Sequence, residues 1–408
     1  MSVALISTGA SRRCPSDVGH SIRSRDCRTE IGRNLALGEC QSQRAESKAW
    51  QLLLSRQNEE KHSRDTLSDA QTQCPLRTTT CLTRAKSSWS DCAMEKSILE
   101  IRRFMEDLGI PGRDLWELPD SPLTFPDGAH WRIEIAGIER ASTMAAMIDE
   151  SHKRDVPVHR AIATVGGSTY LDAAELRAMA QMAHDEGLEV IMGIGPRKGW
   201  DVGAKESANW EGAMLGLRLR GSDSISYWLA DMMRNIEAGF RGFLVYDEGV
   251  LSIVSKMREQ GFIPEETVFK CSVFSGHASP AGARVVAGMG ANTFNPCSDV
   301  SLPILAAIRK TVSIPLDVYI SICDALGGEY RIMETPEIAR VASPCYFKIE
   351  PAKSEMELYK PWTEEGVHAT LVREKVKMAD VIGEVMTRHA PHLRMSERCP
   401  ADLVLPQP

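Results

Sequence analysis

VFKCSVFSGHASPAGARVVAGMGANTFNPCSDVSLPILAAIRKTVSIPLDVYISICDALGGEYRIMETPEIARVASPCYFKIE (268–350) decides the fold. Four strand-like runs recur in it roughly every 25 residues: VFKCSV (268–273), ANTFNP (291–296), PLDVYISI (315–322) and CYFKIE (345–350). Each is rich in Val, Ile, Phe or Tyr, and helix-like runs such as SPAGARVVAGMG, LPILAAIRKTV and PEIARVA separate them. Strand and helix in strict alternation mean parallel strands joined by helical crossovers.

Working outward, the same unit repeats upstream. WRIEIAG (131–137), VHRAIATVGG (158–167), LEVIMGIGPR (188–197) and FRGFLVYDEG (240–249) read as four more strands, each followed by an amphipathic helix. In the second unit Asp172 is the expected N-cap of its helix and Gly187 the expected stop. VHATLVREKVKMADVIGEVMTRHA (367–390) closes the series as a last helix. Eight such units are the pattern of a (β/α)8 barrel, an α/β fold that typically takes ~250 residues. A doubly wound open sheet would carry a glycine-rich phosphate fingerprint after its first strand, and IAGIERAST is not one.

The expected organisation is a barrel with its closing helix over 131–392, a helix and lead-in loop over 94–130, and a tail over 393–408. Residues 1–93 differ from the rest. They hold 14 Lys and Arg against 10 Asp and Glu, a balance of +4 that leaves −11 on 94–408. Six cysteines, many Ser, Thr and Arg and no sustained apolar period mark them as a disordered extension, and the helix opening at Met94 raises the question of whether they belong to the native protein.

The whole chain, 408 residues at a net charge of −7, shows no basic footprint for nucleic acid and no polybasic anchor for a membrane. Nothing in it approaches the ~18 consecutive apolar residues of a spanning helix. With no apolar leader run, and eleven cysteines lacking CxxC or zinc spacing, the expectation is reduced thiols in a cytoplasmic protein. The oligomeric state is not legible.

Alternate side chains of a barrel strand face the lumen and the helices. One face of each strand here is apolar and must meet the helices. That turns Arg132, Glu134, Lys270, Asp317 and Lys348 inward, a ring that has to be paired, wet or both. Chemistry is expected at the C-terminal mouth, where such barrels place it. Glu134, Asp247, Lys270 and Lys348 are the candidate catalytic residues. Glu134, Asp247 and Glu248 are candidate ligands should a divalent metal be bound. Arg197, His277, Asn295, Asp317 and Arg331, with the amides of Gly327 and Gly328, are the candidate groups for holding a substrate. An iron–sulfur cluster needs four thiolates, but Cys271 and Cys345 face the helices, which argues against one.

The runs WRIEI, VHR, GPRKGWDVGA, LRLRG, DEG, FKCSVFSGHASPAGARV, ANTFNPCSDVSLPILAAIRKTVSIPLDVYI and PEIARVASPCYFK resemble a bacterial barrel family labelled U-thirty-two peptidase-like, over about residues 130–350. The resemblance implies peptide hydrolysis, and the first expectation is a hydrolase acting on a small anionic or peptide-like substrate at the C-terminal mouth. Other members of that family look like redox or RNA-modifying proteins with a cysteine-held cluster. Neither GxSxG nor HExxH occurs here, so no familiar protease mechanism carries over. Two rival functions stay open. One is a lyase or aldolase in which Lys270 or Lys348 forms a Schiff base. The other is a non-catalytic binding or maturation protein.

Overall fold

In the computed structural model, which describes residues 96–195, 218–354 and 358–408, the eight strands close on themselves in chain order as β1 to β8. They are β1 (Trp131–Ile138), β2 (Arg160–Ala163), β3 (Glu189–Gly193), β4 (Gly242–Val245), β5 (Val268–Cys271), β6 (Thr293–Phe294), β7 (Leu316–Ser321) and β8 (Cys345–Ile349). Every pair is parallel, including β1 with β8, where Ile133 lies beside Phe347 and Glu134 beside Lys348. The expected (β/α)8 barrel is therefore the fold. Apart from β1, the observed strands are shorter than expected at their C-terminal ends, because residues such as Gly166 and Asp247 turn into loops rather than continue the ladder.

Helix α1 (Lys96–Asp107) precedes the barrel. The outer ring is α2 (Ala141–Arg154), α3 (Ala173–Glu186), α4 (Gly221–Glu237), α5 (Glu248–Glu259), α6 (Pro280–Gly288), α7 (Leu302–Thr311), α8 (Thr335–Ala342) and the closing α9 (Glu365–His389). Local chemistry sets their ends. Asp172 accepts from the amides of Ala174 and Glu175, and Gly187 ends α3 at φ +68°, where only glycine adopts a left-handed turn cheaply. Residues Ala93–Pro408 make one compact unit. Its main core lies between strands and helices, with Ile133, Ile135, Val190, Phe243, Phe269, Val318 and Phe347 packed on Met144, Leu176, Trp228, Leu251, Leu305 and Ile338. Each such side chain contributes ~1.5–3 kcal/mol of burial.

The segment expected to be a mere tail is part of the barrel floor. Met395 pairs with Trp131, and the Ser396 amide donates to the Trp131 carbonyl. Asp402 takes both terminal nitrogens of Arg132, at 2.9 and 2.6 Å. The Val404 amide donates to Glu189, and the Gln407 amide to the Gly239 carbonyl. No apolar period announced this role, since the tail works through backbone and ion pairs. Residues 1–93, with their expected disorder, lie outside the described residues. Among the described residues no helix is long and apolar enough to cross a membrane.

Candidate functional site

The inward side chains sort into levels. At the floor Arg132 lies under Asp402 and Ser396, stacked on Phe125 with its carbon 3.9 Å from the ring centre. The guanidinium is only 1% exposed, and burial works against its charge, but the Asp402 carboxylate holds it above its usual value. His159 shares this floor. Its Nδ1 accepts from the Ile133 amide, so Nε2 carries the proton and meets the Ser396 carbonyl at 3.1 Å. Burial takes the imidazole down to about 4, which keeps it neutral.

One level up is a closed ion network. Lys270 Nζ lies 2.9 Å from Glu134 and 2.5 Å from Asp317, with all three fully buried. Arg160 reaches Glu134 at 3.3 Å, Asp317 at 3.0 Å and Glu189, while Thr293 donates to Asp317 at 2.6 Å. Burial pushes the Glu134 carboxyl up, yet Lys270 and Arg160 outweigh it and hold it below the ordinary range. In Asp317 burial wins and the carboxyl is raised; in Lys270 burial wins as well and the amine is lowered. Arg160 stays charged, its guanidinium raised by Glu189, Tyr346, Asp317 and Glu134 against the cost of burial.

The upper lumen is two-sided. Ala136, Ile162, Ile191 and Leu244 from β1 to β4 form an apolar wall, roofed by Leu358 and Tyr359 from the segment after β8. Polar groups from β6 to β8 face it. Lys348 Nζ donates to Tyr319 Oη at 2.6 Å and to Asn295 Oδ1 at 3.1 Å. Tyr319 Oη in turn donates to Glu350 Oε2 at 2.7 Å. The other Glu350 oxygen and the Ser321 hydroxyl have no hydrogen-bond partner among the described residues, although both are buried. Burying a carboxylate oxygen unpaired is costly, so such an atom in a native fold asks for a reason.

The candidates of the sequence thus fall in different places. Glu134, Lys270 and Asp317 come together, but in the sealed middle level. Lys348 and Asn295 come together above it. Asp247 joins neither group: it caps α5, accepting from the amides of Val250 and Leu219 at 3.1 and 3.0 Å. Glu248 beside it binds Arg218 at 2.9 Å and His277 at 2.8 Å on the rim. Among the described residues no group of three or more His, Cys, Asp or Glu converges as a metal cage. Gly327 and Gly328 spend their amides on the Asp324 and Cys323 carbonyls, so the turn they form offers no anion cradle. Arg331 is pinned to Glu334 and to the Val300 carbonyl. Arg197 lies outside the described residues.

The barrel cysteines do not suit a cluster either. Cys271 and Cys345 sit in the core between strands and helices, where burial pushes their thiols up to about 11 and about 12. A thiol so raised stays protonated and is a poor ligand.

Sequence reasoning gave no role to Tyr319 and Glu350, which share the inward parity of Asp317 and Lys348. It passed over Arg160 and Lys375 altogether. For Lys375 a signal existed: Val372, Val376, Ala379, Ile382 and Met386 form the buried stripe of α9, and Lys375 interrupts it.

No protein-family model and no curated protein matches the chain. Solved structures do. They include the YdjI aldolase from Escherichia coli, 12% identical at a TM-score of 0.37, over 64% of this chain and 92% of that one. The U32 peptidase Mk0906 is 18% identical at 0.30, over 49% and 72%. A truncated 3-deoxy-D-arabino-heptulosonate 7-phosphate synthase from Thermotoga maritima is 13% identical at 0.33, over 68% and 95%. At such scores the likeness carries nothing about chemistry, and the barrel rests on its own strand pairing.

Proposed function

We propose that this chain is a barrel enzyme of the lyase or aldolase kind, in which Lys348 forms a Schiff base with a small carbonyl substrate in the upper lumen. The observation that carries the reading is the chain Lys348–Tyr319–Glu350, an amine, a hydroxyl and a carboxylate in hydrogen-bond sequence. Addition of the Lys348 amine to a carbonyl carbon gives a carbinolamine, which expels water once its hydroxyl is protonated. Tyr319 lies where it can carry the Lys348 ammonium proton to Glu350, freeing the amine to attack, and bring that proton back to the carbinolamine hydroxyl so that water leaves. The resulting iminium accepts the electron pair of a C–C bond broken next to it. An apolar wall opposite the amine excludes competing water and suits the uncharged part of a substrate.

The hydrolase that the peptidase-like resemblance implies has less support. It would draw on Glu134 and Asp247, and both carboxylates are committed, one to Lys270 and Arg160, the other to a helix cap. A non-catalytic role would account for the sealed middle level but leaves the upper chain of groups without a purpose.

The test is reduction with borohydride in the presence of a panel of small aldehydes and 2-oxo acids, followed by peptide mapping. The expected adduct is on Lys348, and Lys348→Arg should abolish it. Adducts confined to other lysines would overturn the assignment.

A further inference from the structure

The groups of the upper lumen are shut away. Lys348 is 4% exposed, and Tyr319, Asn295 and Glu350 less. A substrate reaches none of them unless part of the mouth moves. The strands that carry them are held in continuous ladders, so what can move is what lies over them. That is the connection from β8 to α9. It turns Leu358 and Tyr359, each 1% exposed, onto the apolar wall of Ala136, Ile162, Val165 and Leu244.

Two glycines make a seat for this pair. A Cβ on Gly137, at the end of β1, would stand 2.7 Å from Leu358 Cδ1. One on Gly166, just past β2, would overlap the Tyr359 carbonyl oxygen. Any larger residue at either place would lift the connection off the barrel. The second seat is fixed from below, because the buried Glu139 carboxylate accepts from the amides of Val165 and Gly166 at 3.0 and 3.4 Å. The hold on the pair is of another kind. Among the described residues no hydrogen bond joins Leu358 or Tyr359 to the strands beneath them. The polar ties lie to either side: the Ala352 and Lys353 carbonyls accept from the amides of Asp324 and Ala325, and the Pro361 carbonyl accepts from Arg140 at 3.4 Å. A turn held by apolar contact between polar anchors opens locally, without the sheet.

We propose that the turn at Leu358 and Tyr359 is a lid on the Lys348 site, seated on Gly137 and Gly166, which lifts to admit substrate and closes over it. Closure has a chemical use. Free water hydrolyses an iminium, so an apolar roof that returns after binding shields the intermediate. That use rests on the reading of Lys348 given above, whereas the seat and the opening do not.

Thiol labelling reads the opening. Val165→Cys puts a thiol of similar size under the lid, and peptide mapping follows its reaction with a thiol reagent. Lifting the lid exposes little surface, so the labelling rate should hardly change in low urea. Labelling that follows the full urea dependence of global unfolding overturns the lid. Adding Leu358→Ala/Tyr359→Ala should speed labelling roughly a hundredfold, since most of the apolar hold is gone. Gly166→Ala, whose methyl props the Tyr359 carbonyl off its seat, should speed it about tenfold and serves if the triple variant does not fold. Unchanged rates overturn the proposal. Borohydride trapping reads the use. With the native Val165, Leu358→Ala/Tyr359→Ala should need roughly tenfold more of a small aldehyde for half-maximal trapping at Lys348, because water reaches the iminium. An unchanged requirement removes the lid from that chemistry. If wild type is never trapped at Lys348 but the thiol labels through a urea-insensitive opening, the reading of Lys348 falls and the lid stands. If Lys348 is trapped and the thiol labels only on global unfolding, the lid falls and Lys348 stands.

Discussion

Two levels of the same lumen, two residues apart along β7 from Asp317 to Tyr319, are built on opposite terms. In the middle level every charge has its counterpart: Lys270 between Glu134 and Asp317, Arg160 across to Glu189, Thr293 filling the last acceptor. In the upper level Lys348, Tyr319 and Glu350 make a chain that ends on an oxygen with no hydrogen-bond partner among the described residues, facing an apolar wall. A closed network has nothing to offer a ligand, since any partner it took would have to be stolen from another buried charge. An open chain can take one at little cost. Charge in a barrel is thus not by itself a sign of chemistry; incomplete satisfaction is.

That contrast can be broken by mutation, the largest effect first. Lys270→Met should destabilise by about 3–5 kcal/mol in urea unfolding, because it strands two buried carboxylates. Lys348→Met should cost less, about 1–3 kcal/mol, because Glu350 loses one ion-pair partner at 3.4 Å but keeps the Tyr319 hydroxyl. Equal losses would mean that the two levels are one network.

The floor gives a pH test. His159 is held neutral at about 4, below the ~6.5 of an unfolded histidine. The unfolded chain therefore binds a proton that the folded chain refuses, and stability falls as pH drops through the window from about 6.5 towards 4. Roughly 3 kcal/mol should be lost across it, and His159→Gln should flatten the slope in that window. The smallest effect belongs outside the lumen. Asp172→Ala removes a two-amide cap and should cost about 1 kcal/mol by thermal melt, with no change in trapping at Lys348.

Elements that depend on neighbours in sequence were readable. The period of AELRAMAQMAHDE, its cap and its stop are local facts, and so is the parity that turns Glu134, Lys270, Asp317 and Lys348 to one face. Partnership between strands was not readable. Glu134 and Lys270 are 136 positions apart, and only closure of the barrel brings them to hydrogen-bond distance. The local partner of Asp247 was not read either: it stands at a strand end, and the amide three residues on donates to it.

By itself, then, the sequence determined the eight units, their order and which side chains face inward, because period and propensity act over a few residues. Only the tertiary structure decided which inward charges neutralise one another, which end of the barrel the last residues seal, and that a lysine on an outer helix donates to the Ala136 carbonyl of β1. Those outcomes turn on distances between residues far apart in the chain, and on the low dielectric of a closed lumen that makes each pairing, or its absence, count.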